Sequence, residues 1–104
     1  MGFTRGFIEF ERIEQPHVSV EERVKSFCEI YGTLTDEQAK VQAGRCMDCG
    51  IPFCMHECPL HNDSPDFNEV VSEEQMSKAY NVLSATNNFP EITGRICPAL
   101  CEEG

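Results

Sequence analysis

The chain has 104 residues, 40% of them hydrophobic, with 18 acidic side chains against 8 basic ones and a formal net charge of −10. One small domain of this size commands a modest core, and the acidic balance argues against a nucleic-acid binder, whose phosphate contacts require Lys and Arg in excess. No stretch approaches the roughly 18 apolar residues of a membrane span. The N-terminus mixes Phe3, Phe7 and Ile8 with Arg5, Glu9 and Glu11 instead of forming a signal peptide's apolar run, so a cytoplasmic location with reduced cysteines is expected.

Residues 1–18 fit no helical stripe and end at Pro16, which predicts an extended arm that packs on another surface; residues 19–104 then form the domain proper. Ser19-Val-Glu-Glu22 reads as a capping box, and Val20, Val24, Phe27, Cys28 and Tyr31 recur at helical spacing, predicting a first helix up to Gly32. Cys28 on that stripe reads as a small buried hydrophobe. Thr35-Asp-Glu-Gln38 repeats the device and predicts a second helix that carries Ala39 and Ala43, stops at Gly44 and delivers Cys46. From Gly50 to Asn62, Pro52, Pro59 and polar turn formers predict irregular backbone with N–H groups free to face sulfur.

Ser64 is the expected cap of a short helix begun by Pro65 and carrying Phe67, Val70 and Val71. Ser72-Glu-Glu-Gln75 then predicts the start of a longer one, buried along Met76, Ala79, Tyr80, Val82 and Leu83 and ended by Asn87-Asn88. Pro90 and Gly94 bracket one more turn, and Pro98 starts a last short helix. Since β-alternation never persists beyond a few residues, the expected fold class is all-α, small and loop-rich.

Six of the seven cysteines fall into two blocks, Cys46-x2-Cys49-x4-Cys54-x3-Cys58-Pro and Cys97-Pro-x2-Cys101. Thiolates clustered in a tight loop, with others from a distant segment, are the ligand pattern of an iron–sulfur cubane. Six cysteines with His56 and His61 could also make two Cys3His zinc sites, but structural zinc usually pairs two short knuckles, whereas Cys49 and Cys54 are separated by four residues and a Pro follows both Cys58 and Cys97. An odd cysteine count without an export signal makes a disulfide framework the weaker reading. Cys46, Cys49 and Cys54 can reach one cubane, while the Cys-Pro turn carries Cys58 towards a second, held with Cys97 and Cys101. Each set is then one ligand short. The expectation is an N-terminal fragment of a longer protein, whose clusters are incomplete in these residues alone.

Arg45-Cys-Met-Asp-Cys-Gly-Ile-Pro-Phe-Cys54, Cys58-Pro-Leu60, Asn62, Pro65-Asp-Phe-Asn68 and Ala85 through Glu102 resemble the N-terminal domain of the small (beta) subunit of NADPH-dependent glutamate synthase. Related domains occur in dihydropyrimidine dehydrogenase. The resemblance runs from about residue 20 to the end and implies an α-helical ferredoxin-like fold. It also implies a flavoprotein oxidoreductase in which NADPH reduces FAD in following domains. Electrons then pass through two 4Fe-4S clusters to a large partner subunit, where glutamine-derived ammonia and 2-oxoglutarate become glutamate. In the family a cysteine just beyond Gly104 completes the first cluster, and a residue further on completes the second. No G-x-G-x-x-G is present, so these residues alone do not bind a dinucleotide in the Rossmann manner. His61-Asn62-Asp63 and Leu100 depart from the commoner family pattern without removing a ligand.

Arg45 and Arg95 lie one and two residues from ligand cysteines and are candidates to offset cluster charge, with surface ion pairs as the competing role. Asn87 to Gly94 reads as a structural turn in which Phe89 and Ile92 pack on a cluster and Pro90 and Gly94 fix the bend. His56 and His61 read as solvated loop residues, and His17 has no assigned role. Two other functions compete with electron transfer. One is subunit assembly through the arm and acidic helices, and the other is a zinc-stapled interaction module.

Overall fold

The computed structural model describes residues 4–103, which form α1 (Gly6–Glu9), α2 (Val20–Arg23), α3 (Asp36–Ala43), α4 (Phe53–Glu57), α5 (Ser64–Ser72), α6 (Met76–Thr86), α7 (Pro90–Ile96) and a terminal 3-10 helix (Leu100–Glu103). Among these residues there is no strand, only an isolated bridge between His17 and Tyr31, so the molecule is small, loop-rich and mostly α. No helix of the described residues is long and apolar enough to cross a membrane.

The helical centre is a stack in which α3 and α6 both pack on α5. Ala43 of α3, Val71 of α5 and Ala79 of α6 are buried at the contact, and Phe67 and Val70 pack against them. Two alanines let the helix axes approach closely, and the larger α5 side chains fill the remaining space. Val82 and Leu83 are half-buried, but Met76 and Tyr80 of the expected α6 stripe are exposed.

Local signals decide several boundaries. The Thr35 capping box forms in full: the Gln38 amide donates to Thr35 Oγ1 at 3.2 Å, and the Thr35 amide donates to Gln38 Oε1 at 2.9 Å. At α5, Asp63 rather than Ser64 is the cap, its carboxylate accepting from the Asp66 amide at 3.3 Å, which moves Ser64 into the first turn beside Pro65. The expected capping box at Ser72 is absent. Ser72 belongs to the last turn of α5, its hydroxyl donating to Glu69 O at 2.7 Å. The junction is a Schellman closure: Gln75 N donates to Val70 O at 2.9 Å and Glu74 N to Val71 O at 3.0 Å, with Glu74 left-handed at φ 61°.

The expected first helix is reduced to the single turn α2. Ser19 makes no side-chain cap, and Val24, Phe27 and Tyr31 are 74%, 110% and 58% exposed. A short helix needs a surface on which to bury its apolar face, and among the described residues this segment's apolar side chains stay exposed. Tertiary bonds win instead: Val18 N donates to Ile30 O at 2.9 Å and Gly32 N to Pro16 O at 2.7 Å, folding residues 16–32 into a loop that a helix through Tyr31 could not close. Cys28 is therefore exposed, not buried.

The arm is tied to its own chain. It contains the turn α1, whose Gly6 is buried against the Gly44 carbonyl. The Gln42 side chain then clamps it twice, donating to Glu11 O at 2.9 Å and accepting from Ile13 N at 3.0 Å. Arg12 reaches Glu102 at 2.8 Å, so the arm spans from the end of α3 to the last turn of the chain.

Candidate metal centre

Cys46 follows directly from α3. Arg45 N donates to Gln42 O at 3.2 Å and Cys46 N to Ala43 O at 3.1 Å, which continues the helical turn and sets the first thiol at its end. Asp48, left-handed at φ 50°, reverses the chain between Cys46 and Cys49. The expected irregular segment contains one element, α4, whose Phe53–Glu57 turn carries Cys54. That turn is permitted because Pro52 precedes it and therefore donates no hydrogen bond within it.

Cys58 and Cys97 occupy equivalent positions. Each is the C-cap of a helix, α4 or α7, in extended backbone (φ −72° ψ 119° and φ −64° ψ 124°), and each precedes a proline. A following proline disfavours helical backbone at the residue before it, so both helices stop at the cysteine and the chain leaves in a new direction. After Cys97-Pro98, Ala99 turns left-handed at φ 57° and its amide donates to Cys97 Sγ at 3.3 Å. Such an N–H···S contact stabilises negative charge on sulfur. Glu102 N then donates to Ala99 O at 3.0 Å and closes the 3-10 helix that holds Cys101.

The two blocks meet because α4 packs against the 3-10 helix. Burial pushes the Cys101 thiol pKa up from its ordinary value, and the nearby Cys97 and Cys58 push it the same way. Those three sulfurs thus share one neighbourhood, although Cys58 lies in the first block and the other two in the second. Cys46 and Cys49 lie in the turn after α3, and Cys54 lies on α4, the element that packs against the 3-10 helix. All seven cysteines are free thiols, with Cys46, Cys54, Cys58 and Cys101 half-buried and Cys28, Cys49 and Cys97 exposed. Among the described residues no three Cys, His, Asp or Glu side chains converge on a single ion position. A cubane takes its thiolates at separate iron corners and needs no such convergence, and a soft all-sulfur donor set suits it.

Among the neighbouring polar groups, the Arg95 guanidinium is exposed and paired with Glu29, the surface ion pair that was its competing role. Arg45 Nε is buried without an acceptor. His61, left-handed at φ 52°, turns its Nδ1 to Met55 O at 3.2 Å, which braces the loop around α4. Phe89 and Ile92 are 60% and 55% exposed.

Two asparagines brace this end of the molecule, and neither stood out in the sequence as a brace. Asn62 Oδ1 accepts from Thr86 Oγ1 at 2.6 Å, joining the loop after Cys58 to the end of α6. Asn87 is buried; its Nδ2 donates to Thr93 Oγ1 at 2.6 Å and its Oδ1 accepts from Phe89 N at 3.2 Å, which fixes the α6–α7 corner that leads to Cys97. An Asn directly after a helix is a signal for such a role.

Comparison with known proteins supplies the assignment. The family described as dihydropyrimidine dehydrogenase domain II, 4Fe-4S cluster, matches residues 23–104. The chain is 53% identical over 83 residues to a glutamate synthase [NADPH] small chain from Azospirillum brasilense, covering 78% of this chain and 17% of that one. It is 46% identical over 101 residues to a glutamate synthase [NADH] from Saccharomyces cerevisiae, covering 95% and 5%, and 39% identical over 98 residues to the Escherichia coli glutamate synthase [NADPH] small chain, covering 92% and 21%. The chain thus spans about a fifth or less of the length of these relatives. It belongs to the dihydropyrimidine dehydrogenase domain II family of 4Fe-4S domains and is homologous to glutamate synthase small chains.

Proposed function

We propose that the domain is the electron wire of a glutamate synthase small subunit, with two 4Fe-4S clusters passing electrons from FAD, reduced by NADPH in following domains, to a large partner subunit. What supports this reading is the contact of α4, which ends at Cys58, with the 3-10 helix that carries Cys101, together with the match to 4Fe-4S domains. Six thiols in two blocks are enough to give three ligands to each of two clusters, a number that suits relay better than a single structural staple. The clusters supply reversible one-electron chemistry when bound. The chain's own contribution is to hold the thiolates, to donate the Ala99 amide to Cys97 Sγ and to place the Arg45 charge beside Cys46.

Rapid mixing of the full-length parent protein with NADPH tests it. Flavin bleaching followed by loss of visible cluster absorption is the expected sequence. In Cys97→Ser, flavin reduction should persist while onward transfer is lost. Cluster absorption that does not respond to NADPH would contradict the relay.

A second reading, subunit docking, is favoured by one feature. Val20, Val24, Phe27 and Tyr31, close together in sequence, are each exposed between the arm and α3, and exposed large apolar side chains mark a contact surface where they form a contiguous patch. A cluster-free variant that still binds the large subunit would support that role.

A further inference from the structure

Between the N-terminal arm and the corner after α3 lies a wide, open hollow of about 1160 Å³ whose lining includes no cysteine. Arg12, Arg23 and Arg45 line it together with His17, so it gathers three of the chain's 8 basic side chains. Its carboxylates are Glu14 and Glu102, and Glu102 is engaged by Arg12 at 2.8 Å. Among the described residues neither Arg23 nor Arg45 has an ion-pair partner.

Two unpaired guanidinium groups on one concave wall are anomalous in a chain of net charge −10, where 18 carboxylates compete for 8 cations. Neither has a carboxylate of the described residues to offset its charge. Arg45 Nε is closed to water and has no acceptor, so any contact that Arg45 makes to a ligand in the hollow it lines comes from its terminal N–H groups. The guanidinium fork matches the oxygens of a phosphate or carboxylate, which it can take in bidentate fashion. We infer that this hollow binds a small anionic molecule through a phosphate or carboxylate group held by Arg45 and Arg23. Arg12, already neutralised by Glu102, shapes the wall and carries no part of the anion's charge.

The test is a nuclear magnetic resonance titration of the chain with inorganic phosphate and, separately, with succinate, each against sodium chloride at matched ionic strength. Saturable shifts of the Arg23 and Arg45 Nε–H resonances are expected with at least one of the two. Saturation by phosphate alone or by succinate alone assigns the ligand's group. Arg45→Gln and Arg23→Gln should each weaken binding by about tenfold or more, the loss of one charge-assisted contact. Lys78→Gln, on the exposed side of α6, should bind as the wild type does. Arg23 lies on the single turn α2, away from the core, so its variant is informative even if Arg45→Gln unfolds. Shifts that never saturate, shifts reproduced by chloride, or an Arg23→Gln variant of unchanged helicity and unchanged affinity would overturn the proposal.

Discussion

Gly6 and Gly44 meet backbone to backbone: a methyl group on Gly6 would overlap the Gly44 carbonyl. That approach seats the arm against the turn that sets Cys46, since Arg45 and Cys46 follow immediately. Gly6→Ala should therefore push the arm off α3 and cost about 1–3 kcal/mol, the range for forced overpacking. Urea denaturation measures the loss, and faster amide exchange at Ile13, released from Gln42, locates it. An unchanged midpoint with unchanged Ile13 protection would show that the arm does not lean on this contact.

Thr35 and Gln38 each supply one half of the α3 capping box. Thr35→Ala should lower stability by about 0.5–2 kcal/mol, because the Gln38 amide loses its acceptor while the amide of residue 35 keeps the Gln38 side chain. The same urea titration reads it, and a midpoint equal to that of the wild type would show that α3 is held by α5 alone.

Glu74 closes α5 in left-handed backbone, φ 61°, a conformation that burdens side chains with a Cβ. Its exposed pair with Lys40, at 3.2 Å, offsets little in water. Glu74→Gly should accordingly raise stability by about 1 kcal/mol, glycine being the preferred residue after a helix. A lower melting temperature would mean that the Lys40 pair outweighs the backbone relief.

Cys28 is exposed, with its amide directed to Ser26 Oγ at 3.4 Å. Cys28→Ser should leave iron content unchanged and shift stability by less than about 0.5 kcal/mol, as surface substitutions do. Loss of iron in this variant would place Cys28 among the cluster ligands.

How much of this was legible in the sequence follows from the range of the forces involved. Cluster ligation is chemistry of particular side chains at fixed spacing, so the six motif cysteines and their family stand out before any fold is known. The Thr35 box is equally local, since all its partners lie within four residues. Ser72-x-x-Gln75 misleads because the same four residues fit the start of one helix and the end of another, and only the Val70 and Val71 carbonyls decide. The segment from Val20 to Tyr31 has helical periodicity, but its apolar side chains stay exposed among the described residues, and long-range bonds from Pro16 and Val18 override it. The Gln42 clamp joins residues 29 and 31 positions apart and leaves no periodic trace in the chain. For the same reason the loop between Gly50 and Asn62 hid the turn α4. Its helicity is one turn long, below what periodicity can register.

The proposed division of six thiolates between two clusters is tested most directly by iron and acid-labile sulfide per chain. Protein reconstituted anaerobically, with a small soluble thiol present to fill open iron corners, should bind iron and sulfide in equal numbers, as cubanes do. Cys49→Ser and Cys97→Ser should each remove part of both, and the double variant essentially all. Stoichiometric zinc without sulfide, or a double variant that keeps the wild-type iron content, would contradict the account.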